Sequence, residues 1–466
     1  MKRKTAYLII LAIILINPMQ ALASEPAASD APSVPSIMAK AAILMESGSG
    51  KVIYGKNEGE RIFPAGMVKI LTALVALDYL DPDELIVTGA EIDAVPYDSS
   101  KVGHVRGESI TVLNLLRALL ITSGNESSCV LALAASRIAS ENPDMGYSAA
   151  ERHFSGLMNQ KARSAGAINS NFTNPHGYHH QNMYSTAYDM AMICREALKN
   201  DLIRQLLAET DYSGNGAGEL ADSSMTTKNY NWKSGNELIL PGSAHYYQYA
   251  TGLKTGRHSA AGDCLAASAK KDGVELIAVL CDDPDRWANA IALFNHGFDN
   301  YAYHTIHQAW SVLGEAPVQN PRLQEADTLE YCITQSVEAY MSQGEAARVV
   351  TDVILDPELV EYEGEQAIFL TPVTDGQIVG EVTVSLDRNV LYGGYVTAAR
   401  DALERTVSTD FEYYKSKIQS IFFTAQAVPY WIIAFLLIII LSYIIFRLAK
   451  KRRASTMFST KRKYYK

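Results

Sequence analysis

The sequence has little of several features that mark special classes of protein. Its 466 residues contain five cysteines, an odd number without the regular spacing of a disulfide framework. Positive charge is scarce in the body of the chain, because residues 2–4 and 447–466 hold twelve of the cations and leave 29 against 51 acidic residues. Such a body lacks the concentrated cationic surface that nucleic-acid binding needs. Apolar residues are abundant at 48%, which excludes disorder and suffices for two or three folded domains.

Two apolar segments near the chain ends predict the topology. Residues 6–16 follow three cations and precede Ala21-Leu22-Ala23, which indicates a secretory signal peptide at residues 1–23, with an uncleaved anchor as the alternative. Residues 430–446 are apolar, begin with Tyr430-Trp431 and precede nine cations, which predicts a transmembrane helix and a basic cytoplasmic tail at residues 447–466. We therefore expect a single-pass protein of the cell membrane with its acidic body outside the cytoplasm.

Changes in texture along the chain predict its organisation. Residues 24–36 are rich in Ala, Ser and Pro and indicate a linker, and residues 37–311 mix apolar helices with strands. Short alternating runs at residues 312–397 predict a small β-rich domain, and residues 398–429 form a polar stalk before the membrane. Within the larger domain, Asp272-Gly273 predicts a tight hairpin that brings Cys264 opposite Cys281. That pair is either a disulfide or two buried free thiols.

Three short motifs carry the chemistry. They are Pro64-Ala65-Gly66-Met67-Val68-Lys69 at the head of an apolar helix, Ser123-Gly124-Asn125 between two helices predicted at residues 110–120 and 128–140, and Lys254-Thr255-Gly256 on a strand. In this order and context they resemble the low-molecular-mass penicillin-binding proteins, the serine-type D-Ala-D-Ala carboxypeptidases. The resemblance extends over roughly residues 37–300 and includes the segments at residues 172–177 and 184–191.

The resemblance implies a fold and a set of site residues. The fold is α+β, an antiparallel sheet of the β-lactamase and D,D-peptidase kind flanked by helices, with a helical subdomain and the site between them. Lys69 would be the base and Ser123 the proton relay, and the backbone NH groups of Gly66 and Arg257 would face the oxyanion. The substrate-binding positions carried over are Asn125, Lys254, Thr255, Gly256 and Arg257. The family needs no cofactor or metal, so we expect no metal site at the histidines of residues 176–180.

One departure outweighs the rest of the match. The nucleophile position is Gly66, and residues 61–71 contain no Ser, Thr or Cys to replace it. We therefore expect recognition of the D-Ala-D-Ala stem peptide of peptidoglycan, and non-covalent binding of β-lactams, without acylation. Three alternatives stay open: an active carboxypeptidase that removes the terminal D-Ala by acylation and hydrolysis, a different chemistry such as Lys69 activating a water, and a non-catalytic membrane-anchored scaffold at the cell wall. The preferred stem peptide, the oligomeric state and the protein partners are left open as well.

Overall fold

A computed structural model describes residues 34–422 and 424–461, so the predicted signal peptide and nearly all of the predicted linker lie outside the described residues. The described residues divide into two compact units. Unit 1 runs to His304 and takes in Tyr340–Ala347, whereas unit 2 comprises Thr305–Ala339 and the residues from Arg348 onward. The domain limits given by the sequence texture stay predictions.

The strands are, in chain order, β1 Ala41–Glu46, β2 Val52–Lys56, β3 Leu85–Val87, β4 Ser109–Thr111, β5 Asp211–Asn215, β6 Asn229–Lys233, β7 Ala250–Gly252, β8 Thr255–His258, β9 Gly262–Lys271, β10 Val274–Cys281, β11 Tyr301–His307, β12 Val312–Pro317, β13 Thr328–Ile333, β14 Val337–Ser342, β15 Val349–Leu355, β16 Val360–Glu363, β17 Gln366–Phe369, β18 Ile378–Leu386 and β19 Asn389–Ala398. The α-helices are α1 Val68–Leu77, α2 Val112–Ile121, α3 Asn125–Ala139, α4 Tyr147–Ser164, α5 Ala187–Ala197, α6 Asp201–Ala208, α7 Arg286–Asn300, α8 Gln343–Ala346, α9 Val407–Phe422 and α10 Val428–Lys461. Single turns of 3-10 helix lie at Ala65–Met67, Ala90–Asp93, Gly218–Leu220, Glu237–Ile239 and Ala425–Ala427.

Unit 1 is organised around a six-stranded antiparallel sheet. Its strand order is β2-β1-β10-β9-β7, and β8 also pairs with β9. β7 and β8 follow one another along the same edge of β9. Between them the backbone of Lys254 exchanges two 2.9 Å hydrogen bonds with Ala266, which holds the third motif against the sheet.

Alternate residues of β9 and β10 are buried in two different cores, because successive side chains of a strand point to opposite faces of the sheet. Ala266 and Ile277 belong to the core shared with α1 to α6, whereas Leu265 and Leu276 belong to the core shared with α7. Burial on both faces explains why these two strands are apolar almost without interruption. The expected α+β fold, a helix-flanked antiparallel sheet, is thus confirmed.

The β9–β10 hairpin has the predicted register. Lys271 lies opposite Val274 and Leu265 opposite Leu280, so Cys264 and Cys281 occupy the next positions outward. Both cysteines are buried and both are free thiols. Of the two alternatives for this pair, the structure therefore has the free thiols.

Two helices of unit 1 begin at residues other than those predicted. The helix expected from residue 110 begins at Val112, because residues 109–111 pair with β3 and the Thr111 hydroxyl caps the helix by accepting from the Asn114 NH at 3.1 Å. The helix expected from residue 128 begins at Asn125. The asparagine of the second motif therefore lies in the first turn of α3.

Unit 2 contains an antiparallel five-stranded sheet in the order β12-β13-β19-β18-β15, and β16 and β17 form a separate pair. Leu329, Val382 and Phe369 are among its buried core residues. In α10, residues Val428–Arg452 are long and apolar enough to cross a membrane, with a mean hydropathy of 2.7 over the most apolar 18 residues. Within the described ranges no other helix meets this criterion. The candidate span is longer than the predicted residues 430–446.

Candidate active site

The head of α1 brings the first motif to a cleft of about 520 Å³ in unit 1. Gly66 lies in the 3-10 turn that precedes α1 and Lys69 lies in its first turn, so the two residues are one turn apart and both line the cleft. The Lys69 side chain is only 2% exposed, and its Nζ donates to the carbonyl oxygen of His176 at 2.6 Å. This bond fixes the amine at the bottom of the cleft.

Backbone atoms approach each other closely below the cleft, in a region that we call the cleft floor (Ala65, Gly66, Gly177 and Gly256). A Cβ atom on Gly66 would stand 2.9 Å from the carbonyl oxygen of Thr255 and 3.3 Å from Oγ of Ser123. A Cβ on Gly256 would stand 2.8 Å from the Gly66 nitrogen, and one on Gly177 only 2.0 Å from the Ala65 carbonyl oxygen. The floor packs this tightly because three of its four residues have no side chain.

The second motif enters the cleft from the loop between α2 and α3. Ser123 has a φ of 68°, which lies in the left-handed region. Residues other than glycine rarely adopt this conformation, and those that do are often found at functional sites. Asn125 is buried, and its backbone NH donates to the carbonyl oxygen of Ser100 at 2.9 Å. Both side chains line the cleft.

The third motif forms another wall of the cleft. Thr255, Gly256 and Arg257 line it from β8, whereas Lys254 is 3% exposed and lies behind the lining residues. Of the eight residues predicted for the site, seven therefore line the cleft and Lys254 does not. Its Nζ is 3.5 Å from the carbonyl oxygen of Thr255.

Burial changes the ionisation of the cleft residues. It lowers the pKa of Lys254 to about 8. Burial, and after it the charge of Lys254, lower the pKa of Lys69 well below its ordinary value. Burial, followed by the charge of Lys69, also lowers the pKa of His176 to about 3. Burial thus shifts each of these groups toward its uncharged form, and an uncharged Lys69 amine has the lone pair that a general base needs.

The structure adds cleft residues that the sequence gave no reason to choose. Arg286, at the start of α7, lines the cleft and pairs with Asp263, which also lies 3.5 Å from Nε of Arg257. Asp98 and Tyr178 line it as well, each from a loop. For Tyr178, the only sequence signal was its position next to residues 172–177, which belong to the family resemblance. Asp98 in a loop and Arg286 at the start of a helix gave no signal, because such residues are common on any protein surface.

The histidines of residues 176–180 have separate surroundings. His176 is buried at the base of the cleft, whereas the His179 ring is exposed and packs edge-on against Phe63 with a centroid distance of 4.7 Å. In the described part of the chain, no three His, Cys, Asp or Glu side chains group in a way that would hold a metal ion.

A buried polar network fastens the start of α3 to the preceding loop. His104 bonds through Nε2 to Oγ of Ser127 at 2.9 Å and through Nδ1 to the hydroxyl of Tyr230 at 2.8 Å. Tyr230 donates in turn to both carboxylate oxygens of Glu108, at 2.6 and 2.7 Å. The serine of this network lies two residues after Asn125, so the network positions the second motif. Ser127 itself is fully buried.

The sequence is similar to known D-alanyl-D-alanine carboxypeptidases. The family model described as D-alanyl-D-alanine carboxypeptidase matches residues 28–285, slightly more than half of the chain. D-alanyl-D-alanine carboxypeptidase DacF of Bacillus subtilis is 28% identical over 368 residues, which cover 77% of this chain and 87% of the relative. DacB2 of Mycobacterium tuberculosis is 29% identical over 275 residues, which cover 57% of this chain and 84% of the relative.

Solved structures agree on the fold. Penicillin-binding protein 5 of Haemophilus influenzae has a TM-score of 0.57 at 23% identity, covering 80% of this chain and 99% of that protein. A mutant of the Streptomyces K15 DD-transpeptidase has a TM-score of 0.51 at 26% identity, covering 57% of this chain and 100% of that protein.

Proposed function

The chain belongs to the D-alanyl-D-alanine carboxypeptidase family, and we propose that it binds D-Ala-D-Ala stem peptides of peptidoglycan without forming an acyl-enzyme. Its family acts in peptidoglycan metabolism, which supports the stem peptide as the ligand. The finer part of the proposal concerns the reaction. It depends on Gly66, the position at which the family resemblance expects the serine nucleophile.

The contacts of Gly66 are the observation that carries the proposal. Glycine has no side chain on which an acyl group can be formed, and the space next to its Cα is bounded by the Thr255 carbonyl oxygen at 2.9 Å and Ser123 Oγ at 3.3 Å from the Cβ position. A serine would require this floor to shift. Loss of the nucleophile in a serine hydrolase costs about a millionfold in turnover.

The rest of the cleft supports recognition. Arg257 and Arg286 line it, and the buried Lys254 immediately precedes β8, so a ligand carboxylate would meet a cationic environment. Asn125 offers an amide side chain to a peptide backbone. These groups suit a peptide that ends in a carboxylate, as a D-Ala-D-Ala peptide does.

An active carboxypeptidase is the second candidate. The relatives carry that activity in their names, and Lys69 in the cleft has a lowered pKa that suits a general base. In this case Lys69 would activate a water in place of a serine hydroxyl, and the terminal D-Ala would be released by direct hydrolysis. This mechanism also forms no acyl-enzyme, so it agrees with binding without acylation. It differs from our proposal in that the peptide is hydrolysed.

We further propose that α10 anchors the protein in the membrane with the cleft outside the cytoplasm. The apolar segment Val428–Arg452 and the basic residues 447–466 support this orientation. It would place the cleft on the side of the membrane where peptidoglycan lies.

Labelling with a fluorescent penicillin tests the missing nucleophile. We expect no covalent labelling of the natural protein and clear labelling of Gly66→Ser, because only the variant has a hydroxyl at the nucleophile position. The matched control is Gly66→Ala, which imposes the same Cβ on the floor without a nucleophile and should stay unlabelled. Covalent labelling of the natural protein would contradict the proposal.

Calorimetric titration with a D-Ala-D-Ala peptide tests recognition. The natural full-length protein in detergent should bind it, and Lys254→Ala should weaken binding by about tenfold or more, since it removes a buried cation next to the carboxylate site. Lys270→Ala, an exposed lysine on β9, is the matched control and should bind normally. Equal affinity of the two variants would rule out Lys254 as the carboxylate partner. Turnover assayed on the same peptide separates the two candidates.

A further inference from the structure

The cleft carries charge of both signs. Arg257 and Arg286 supply positive charge to its lining. Among the described residues that line it, Asp98 is the only carboxylate. It lies in the loop between the 3-10 turn at Ala90–Asp93 and β4, and it is exposed.

Asp98 is held by an uncharged partner. The hydroxyl of Tyr178 donates to its two carboxylate oxygens, at 3.1 and 3.3 Å. This bond raises the pKa of Tyr178, which keeps the phenol protonated and able to donate. We call these two residues the cleft mouth. A carboxylate can accept about four hydrogen bonds, so one phenol leaves most of its capacity unused.

The cations of the cleft do not neutralise Asp98. Arg257 and Arg286 both face Asp263 instead. In the described ranges no lysine, arginine or histidine forms an ion pair with Asp98. The mouth therefore presents an anion that is fixed in position and has no cationic partner within the protein.

We propose that Asp98 binds an ammonium group on a side chain upstream of the D-Ala-D-Ala end of the ligand. The inference rests on the proposed peptide recognition and specifies its substrate class. With the terminal carboxylate in the cationic part of the cleft, the chain of the peptide continues toward the remaining lining residues, which include the mouth. A primary amine there would gain a charge-assisted hydrogen bond, whereas an acylated amine would not. Asp98 is thus a specificity-determining residue, held in place by Tyr178.

Two peptides that differ in one charge test the proposal. They are Nα-acetyl-L-lysyl-D-alanyl-D-alanine and its Nε-acetylated form, titrated at low salt into the full-length protein in detergent. We expect the ammonium peptide to bind roughly two- to fivefold more tightly, the range of an exposed ion pair, with the difference shrinking as salt is added. Asp98→Asn should remove the preference, and Asp98→Lys should reverse it. Asp144→Asn, an exposed acid in the loop after α3, is the control and should keep it.

The outcomes separate this inference from the function on which it rests. If both peptides bind equally well to the natural protein, or if the preference survives in Asp98→Asn, the role of Asp98 is wrong and peptide recognition stands. If neither peptide binds, recognition itself is wrong and the role of Asp98 falls with it.

Discussion

The floor and the mouth of the cleft are built in opposite ways. On the floor, backbone meets backbone, so that a Cβ on Gly177 would lie 2.0 Å from a carbonyl oxygen. At the mouth, Asp98 and Tyr178 share a single exposed hydrogen bond. Close packing resists change at any one residue, whereas an exposed polar contact contributes little to stability. The difference suggests that the surrounding backbone restricts any side chain on the floor, while the mouth depends on single side chains.

The largest expected effect is that of Gly177→Ala, which forces a side chain into the floor. Its Cβ would overlap the Ala65 carbonyl oxygen, and its φ of 77° is unfavourable for alanine. We expect the free energy of unfolding to fall by about 3 kcal/mol, measured by urea denaturation followed by tryptophan fluorescence.

The control for this variant is Gly235→Ala. A Cβ at Gly235 has no atom within 4 Å and its φ is not positive, so the change should stay within about 0.5 kcal/mol. Similar losses in the two variants would show that the floor is not the tightly packed region that the structure describes.

A smaller effect is expected from His104→Leu, which breaks the network behind the second motif. The change removes the hydrogen bonds of the His104 ring to Ser127 and Tyr230. A buried polar group that is left without a partner costs about 1–3 kcal/mol of stability. We expect a loss of about 2 kcal/mol in the free energy of unfolding. Adding Ser127→Ala should cost less than it does in the natural protein, because its partner is already gone. Strictly additive losses would argue against the network.

The sequence predicted the motif residues of the cleft better than its mouth. Lys69, Ser123 and Thr255 belong to short motifs whose spacing is set by one helical turn, one loop and one strand, and the structure brings them to one cleft. Asp98 and Tyr178 meet only because two loops converge, and they are 80 positions apart in the chain. Nothing local in either loop predicts that encounter.

The fold also shows that local sequence predicts local contacts and misses those made by distant segments. The β9–β10 register followed from Asp272-Gly273, since a two-residue turn fixes which residues face each other. The apolar run from residue 110 looked helical throughout. Tertiary pairing with β3 nevertheless takes residues 109–111 into a strand, which propensity alone does not reveal.

The pH dependence of peptide affinity tests whether the charge of Lys254 contributes to binding. The pKa of Lys254 is lowered to about 8, so its ammonium is present below pH 8 and is lost as the pH rises through that value. Between pH 7 and pH 9 the affinity for a D-Ala-D-Ala peptide with a free carboxylate should fall about tenfold. The peptide amide, which lacks that carboxylate, should lose much less. An equal decline for both peptides would assign the titration to another group.

The smallest effect on stability is expected from Tyr178→Phe. The hydrogen bond of the hydroxyl is exposed, so the urea midpoint should not change measurably, in contrast to Gly177→Ala one residue earlier. The preference for the ammonium peptide should nevertheless weaken, though less than in Asp98→Asn, because the carboxylate remains but is no longer held in position. Phe63→Leu, which alters an aromatic contact of His179 and leaves Asp98 untouched, should keep the preference. If Tyr178→Phe lowers the urea midpoint as much as Gly177→Ala does, floor and mouth are one packed unit and the contrast between them is wrong.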